Sequence, residues 1–511
     1  MTCSRRGFLQ SMASCMAGGV FGMGGGLFKL PGTQVSYSAA GRAAVGGNIV
    51  VFVQMFGGND GLNMIYPLNG KQRTNYEAFR PTLALPNQAA NFQPWVTKGI
   101  GGAQALDIGV NADGSHYAFN PGMGALNALY QSGKVAVIPG VHYPAPNHSH
   151  SDSTSVYISA DTSGANGTGW FGKYLNTTAY TEADVPSVIM GTSQTPLFTP
   201  SNSGILTFED LNLLQFPAIG DAAFDARIYS AYCGLAGTRD AASYPELIQI
   251  AQLAGSTISH LGEFYNPKNA DGTLLPAKVQ ALLIDANGDY NHDNPLVYSS
   301  PLNPAVNPAI ASNDLATDLK HVAAVIRANI GARFFHVGLN SFDTHSNQEQ
   351  NLNHSTLLNM LSEGIAAFYN EMNQAVSLPG LTGYQTGNLS QNVIIVTFSE
   401  FGRTMRQNDT DPNQAGTDHA ASAPQMVIGG KVLGGKQYGA YPQLDDPGFE
   451  AKDDLKMSTD FRNVFGTILD KWLGVPVPDL GPGPGSILNS TPAVDGDGNS
   501  YTAYAPMPFL P

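Results

Sequence analysis

Apolar residues along this chain follow two different periods. Short runs of β-branched and aromatic residues at 48–56, 134–138, 187–190, 333–339, 392–398 and 425–428 show no regular polar face. Runs of that length and composition predict parallel strands buried on both sides. Between them the apolar positions recur at helical spacing. Leu315, Leu319, Val322, Ala323, Ile326 and Ile330 share one face, and Leu357, Leu358, Leu361, Ile365, Phe368 and Met372 share another. A third stripe is formed by Phe461, Val464, Phe465, Ile468 and Trp472. Strand and helix in alternation predict an α/β fold, one large and mostly parallel sheet flanked by helices.

That domain is expected over residues 44–480. A helix-rich excursion is expected from about 205 to 265, and an Asn/Pro/Asp-rich surface loop continues it, so the insertion covers about 205–312. The Gly/Pro-rich tail, 481–511, reads as a wrapping that forms no core of its own.

Residues 1–43 read as an address rather than a fold. Ser4-Arg5-Arg6-Gly7-Phe8-Leu9 precedes a weakly apolar, glycine-rich run, and Ser38-Ala39-Ala40 supplies small residues for cleavage. Paired arginines ahead of such a run resemble a twin-arginine export signal. The export machinery is then a partner, and the destination is the periplasm or the exterior. No later apolar run approaches the roughly 20 residues a spanning helix needs, so no stable transmembrane anchor is expected. Cysteines stand at Cys3, Cys15 and Cys233. The processed chain would keep only Cys233 and cannot close an internal disulfide.

Composition narrows the function classes. Hydrophobic residues make up 42% of the 511, enough for a core and too many for a disordered chain. The formal charge of −14 argues against a nucleic-acid backbone as partner. It leaves room for a small anionic substrate, because a bound metal ion can reverse the local field.

The chemistry sits where the strands end. The first strand runs into Gly57-Gly58-Asn59-Asp60-Gly61, and the second leads through His142 to Asn147-His148-Ser149-His150-Ser151-Asp152. The strand at 333–339 is followed by Ser341-Phe342-Asp343-Thr344-His345, and that at 392–398 by Ser399-Glu400-Phe401-Gly402-Arg403. Ligands of open α/β sheets bind beyond the carboxyl ends of strands. Each motif alone reads as a turn, a helix cap or a solvated loop. Together they predict a divalent-metal site of carboxylate oxygens and imidazole nitrogens. No phosphate-cradling loop or dinucleotide fingerprint is present. The Asp285-x-Asn287-x-Asp289 and Asp495-x-Asp497-x-Asn499 stretches lack the glycine of a calcium-binding loop.

At these residues the chain resembles a family of bacterial secreted proteins called domain of unknown function 1501, a branch of the alkaline phosphatase and sulfatase superfamily. The likeness runs from Asn48 to about Gly474. It is carried by Phe56–Asn63, Ser149-His150, Thr168–Leu175, Phe342–Gln348, Phe398–Thr404 and Gly416-Thr417-Asp418-His419. Downstream, Gly434–Gly439 and Thr459–Arg462 also match. The resemblance implies an alkaline phosphatase-like sheet and a metal-assisted transfer of phosphoryl or sulfuryl groups. It casts Asp60, Asp343, His345, Glu400 and His419 as ligands of one or two divalent ions, Zn or another of Mg, Mn and Ca. Ser149 becomes the candidate nucleophile, His150 a ligand or acid/base, and Arg403 a holder of an anionic oxygen.

In this chain Phe401 stands where the superfamily often supplies a second ligand, and the motif around Ser149 differs from the usual one. The expected function is an exported metal-dependent hydrolase of a phosphate or sulfate ester, small or glycan-linked. The alternative is a catalytically degenerate metal-binding or envelope-assembly protein on the same fold. A polysaccharide-binding module using Trp95 or Trp170 is a third reading.

Overall fold

The computed structural model describes residues 47–208 and 301–511, apart from 163–168, 179–185, 192–194, 200, 202–204, 303–305, 330, 376–384, 386, 445–453, 481–485, 489–492, 495–499 and 502–503. The expected export signal and most of the expected insertion lie outside the described residues.

The centre is a nine-stranded sheet. Its strands are β1 (Ile49–Met55), β2 (Val135–His142), β3 (Ser187–Met190), β4 (Ile205–Phe208), β5 (Phe334–Leu339), β6 (Val393–Ser399), β7 (Ala423–Gly429), β8 (Lys436–Gln437) and β9 (Thr459–Asp460). They lie in the order β8-β2-β7-β6-β1-β5-β3-β4, with β9 also paired to β2. β1 pairs in parallel with β5 and β6 and is buried along its whole length. That burial on both faces is why its sequence shows no polar alternation.

The six predicted strands all form, with one difference of direction. The run at 425–428 was expected to be parallel, yet β7 runs antiparallel to both β2 and β6. Burial on both faces gives parallel and antiparallel central strands the same apolar run, so the pattern carries no direction. The start of the expected helix-rich excursion also differs, since Ile205–Phe208 is strand β4 at the sheet edge.

Residues of β1 alternate between two cores. Val51, Val53 and Met55 face one that also takes in helices α1 (Gly124–Gln131), α4 (Asp314–Ala328) and α5 (Asn353–Met372). Val50 and Phe52 face the other, with α2 (His150–Ser159), α3 (Trp170–Thr177) and α6 (Phe461–Thr467). The described part of the C-terminal tail packs back on this second core through Leu488, Phe509 and Leu510. Trp95 and Trp170 are both buried, so neither offers a surface ring to a glycan.

Register sets the functional edge. Met55 stands level with Leu339 and with Ser399, so the chain leaves β1, β5 and β6 at one height. β7 enters at that same edge, because Ala423 pairs with Val141 near the end of β2. Its reversal therefore brings the residues before it, including His419, to the rim where the parallel strands end.

Candidate metal centre

Asp343 lies in the loop after β5, held against the loop after β1. Gly57 adopts a left-handed φ of 114°, and a Cβ there would stand 2.4 Å from the Asp343 backbone nitrogen. Only glycine permits that approach. The carboxylate receives Nη2 of Arg403 at 2.5 Å through Oδ1. Burial works to raise its pKa, but the hydrogen bonds from Arg403 and His419 and the Arg403 charge bring it down to about 2.

Three imidazoles meet this carboxylate. Nε2 of His419 is 3.1 Å from Oδ1, Nε2 of His345 is 3.2 Å from Oδ1, and Nε2 of His150 is 3.6 Å from Oδ2. Nε2 of His345 and Nε2 of His419 are 2.9 Å apart. The other nitrogen of every ring already has an acceptor. Nδ1 faces the Glu400 carboxylate in His150, the Asp418 carboxylate in His345 and the His148 carbonyl in His419, each at 3.0 Å.

A neutral imidazole carries one N–H and cannot donate at both nitrogens. His419 has hydrogen-bond acceptors at both nitrogens, whereas Nε2 of His345 faces Nε2 of His419 beside Asp343 and Nε2 of His150 stands 3.6 Å from Asp343, beyond a hydrogen bond. Three adjacent imidazolium rings would repel one another, with centroids 4.5 Å apart for His150 and His419 and 4.6 Å for His345 and His419. Burial, the first cause, and the Arg403 charge lower the pKa of His419, favouring its neutral form over the opposing pull of Asp343. The donor atoms of His150, Asp343 and His419 are close enough together for one divalent ion, with His345 outside that group and in contact with it through His419 and Asp343. Donors of tetrahedral zinc stand about 3.3 Å apart when bonded at 2.0–2.1 Å, and the separations here bracket that spacing. Among the described residues, His150, Asp343 and His419 are also the group whose donor atoms all fall within 4.8 Å of one another.

Residues 48–476 match the family described as Protein of unknown function (DUF1501). The chain belongs to this family. No curated protein matches the chain, and no solved structure does.

The DUF1501 match spans every residue of the centre, but not every expected ligand joins it. Asp60 is fully buried and paired with Arg80, whose Nη1 is 2.5 Å from Oδ2 and Nη2 3.0 Å from Oδ1. Burial tends to raise its pKa, yet the Arg80 charge and hydrogen bonds hold it below the ordinary carboxylate range. Gln348 also donates to Asp60, and its carbonyl accepts from Thr344 at 3.2 Å and Thr417 at 2.7 Å. Asp60 thus braces the loops that carry the ligands from beneath.

Glu400 likewise stands one step back. Its Oε1 accepts from the Gly57 amide at 2.7 Å as well as from His150. Arg403 is fully buried and donates to the carbonyls of Gly57, Gly58, Phe342 and Thr417 besides Asp343. It clamps three loops together and has no surface from which to hold a substrate oxygen. Ser149 caps α2, accepting from the Asp152 amide at 3.4 Å, and its hydroxyl also meets Ser151 at 3.0 Å. No ligand or carboxylate of the centre touches that hydroxyl.

Other positions have roles that were not read from the sequence. Phe401 packs its ring 4.8 Å from His150 and 4.4 Å from His419, forming an apolar wall that fixes both. Gly58 makes room for it, since a Cβ there would meet the Phe401 ring at 2.2 Å. The Asp454 carboxylate lies 3.2 Å from Nε2 of His148 and accepts from the Ala421 amide at 2.7 Å, joining the two loops that carry His150 and His419. His148, Ser341 and Ser422 hold left-handed φ values of 59°, 80° and 64°. Such conformations cost energy in non-glycine residues and gather at functional rims.

An open cavity of about 500 Å³ adjoins the centre on the His150 and Glu400 side. Its remaining wall comes from α2 and from Phe56 and Pro196.

Proposed function

We propose that this DUF1501 chain is an exported, metal-dependent hydrolase that acts on a phosphate or sulfate ester, on an alkaline phosphatase-like fold. The observation that carries the reading is three imidazoles, each with its Nδ1 on an acceptor and its Nε2 turned toward one ionised carboxylate. Asp343, His150, His345 and His419 would hold a single ion. Three nitrogens and one oxygen suit a borderline ion such as zinc better than magnesium or calcium, which prefer oxygen donors. A divalent ion there would supply the positive charge an anionic ester needs and would polarise its oxygen as a Lewis acid.

The chain's own residues prepare that site. Glu400, Asp418 and the His148 carbonyl hold the protons on the Nδ1 atoms, so every Nε2 presents its lone pair inward. Phe401 excludes water from one side of two rings. Arg403 keeps Asp343 ionised and aligned. The Arg5-Arg6 signal supports export by the twin-arginine route to the periplasm or beyond.

One observation favours a second reading, a metal-binding protein of the envelope that performs no catalysis. Arg403 is committed to backbone carbonyls, and Ser149 caps a helix with no base beside it. Turnover separates the two readings. The metal-loaded chain should hydrolyse at least one member of a panel of aryl phosphate mono- and diesters and aryl sulfates, with Asp343→Asn inactive. A fully metallated chain that turns over none of them supports the second reading.

A further inference from the structure

The cavity beside His150 and Glu400 is not explained by the metal centre. Ser151, Thr154, Ser155 and Ile158 line it from one face of α2, at the i, i+3, i+4 and i+7 spacing of a helix. Phe56 and Pro196 complete an apolar floor with Ile158. The hydroxyls of Thr154 and Ser155 have no hydrogen-bond partner among the described residues. Each can donate once and accept twice. Among the described residues no lysine or arginine lines the cavity, and the titratable side chains there are His150 and Glu400.

These features select by exclusion. A second anionic group lodged here would meet Glu400, whose partner His150 faces the metal centre, and would find no lysine or arginine in the described lining. A purely apolar ligand would bury the helix hydroxyls unpaired, which costs free energy. A neutral sugar ring meets both conditions, with C–H faces for Phe56, Ile158 and Pro196 and hydroxyls for Thr154 and Ser155. The volume is that of a small-ligand pocket.

We propose that this cavity is a subsite for a neutral pyranoside, so that the ester processed at the metal centre is carried on a sugar. The inference rests on the ester-hydrolase reading for the reacting end, while sugar binding itself requires no metal.

The test uses the full chain and a panel of uncharged methyl glycosides, namely glucoside, galactoside, mannoside and N-acetylglucosaminide, followed by saturation-transfer NMR and calorimetry. At least one should bind, and it should bind equally well to Asp343→Asn, in which the metal site is crippled. Thr154→Val and Ser155→Ala each remove one hydroxyl with little change of shape, and each should weaken binding about fivefold, the worth of one hydrogen bond. Ser155→Leu, which replaces a hydroxyl with a bulky apolar side chain on the cavity wall, should abolish it while leaving metal content unchanged. Absence of binding by all four glycosides overturns the subsite, as does undiminished binding by Thr154→Val and Ser155→Ala. Neither result touches the metal reading, which metal analysis of Asp343→Asn decides separately.

Discussion

Asp418 meets Nδ1 of His345 at 3.0 Å, across two loops, while the neighbouring His419 takes its Nδ1 partner from the His148 carbonyl. A carboxylate on the far nitrogen of a ligand histidine fixes its tautomer and raises its basicity. Asp418→Ala should therefore lower metal affinity by about 10–100-fold, read by competition with a chromophoric chelator. Asp411→Ala, whose contacts stay within its own loop, is the control and should change nothing. Unchanged affinity in the Asp418 variant would show that His345 needs no such support.

Asp60 carries a different expectation from Asp343. Removing one partner of a buried ion pair leaves the other charge uncompensated, which typically costs about 3–5 kcal/mol. Asp60→Ala strands Arg80 and should lower the unfolding free energy, measured by urea denaturation, by that amount, while any protein that still folds retains metal. Complete metal loss with unchanged stability would return Asp60 to the ligand set.

Metal retention should depend on pH through the imidazoles. Metal and protons compete for Nε2, so acid favours release. Asp343 stays ionised until pH approaches about 2 and does not set the release point. The pKa of His419 lies below its ordinary 6.5, so its neutral, metal-ready form persists further into acid than that of a free histidine. Release on stepwise acidification should begin below pH 6.5 and finish well above the Asp343 titration. Release confined to the range near pH 2 would assign control to the carboxylate.

Much of this arrangement was legible in the sequence. The strands showed as unbroken apolar runs, and the loops at their ends lie along one rim. Asp343, His345 and His419 were readable from their motifs. Less readable were relationships that depend on distant partners. Nothing near Asp60 marks Arg80 as its mate, and nothing near Asp418 points to His345 rather than the adjacent histidine. Glu400 has the chemistry of a ligand, and only the position of His150 shows it to be an orienting acceptor. Phe401 stands at an expected ligand position, and its packing against two histidines became visible only once the rim was assembled. The direction of β7, which delivers His419, is absent from any apolar periodicity.

Ser149 separates a covalent route from a direct one. Its loss as a helix N-cap should cost about 1 kcal/mol. Ser149→Ala should keep its metal and, on any ester the wild type hydrolyses, lose no more than a few-fold in turnover. A fall of several powers of ten in a folded, metallated variant would restore the hydroxyl as nucleophile.

The central claim is a single ion held by Asp343, His150, His345 and His419, and elemental analysis of the purified full chain tests it most directly. After zinc loading and desalting, the wild type should retain one divalent ion per chain. Asp343→Asn and His419→Ala should retain little, with circular dichroism unchanged. Equal metal content in wild type and Asp343→Asn, or a wild-type chain that holds no ion after loading, would contradict the account.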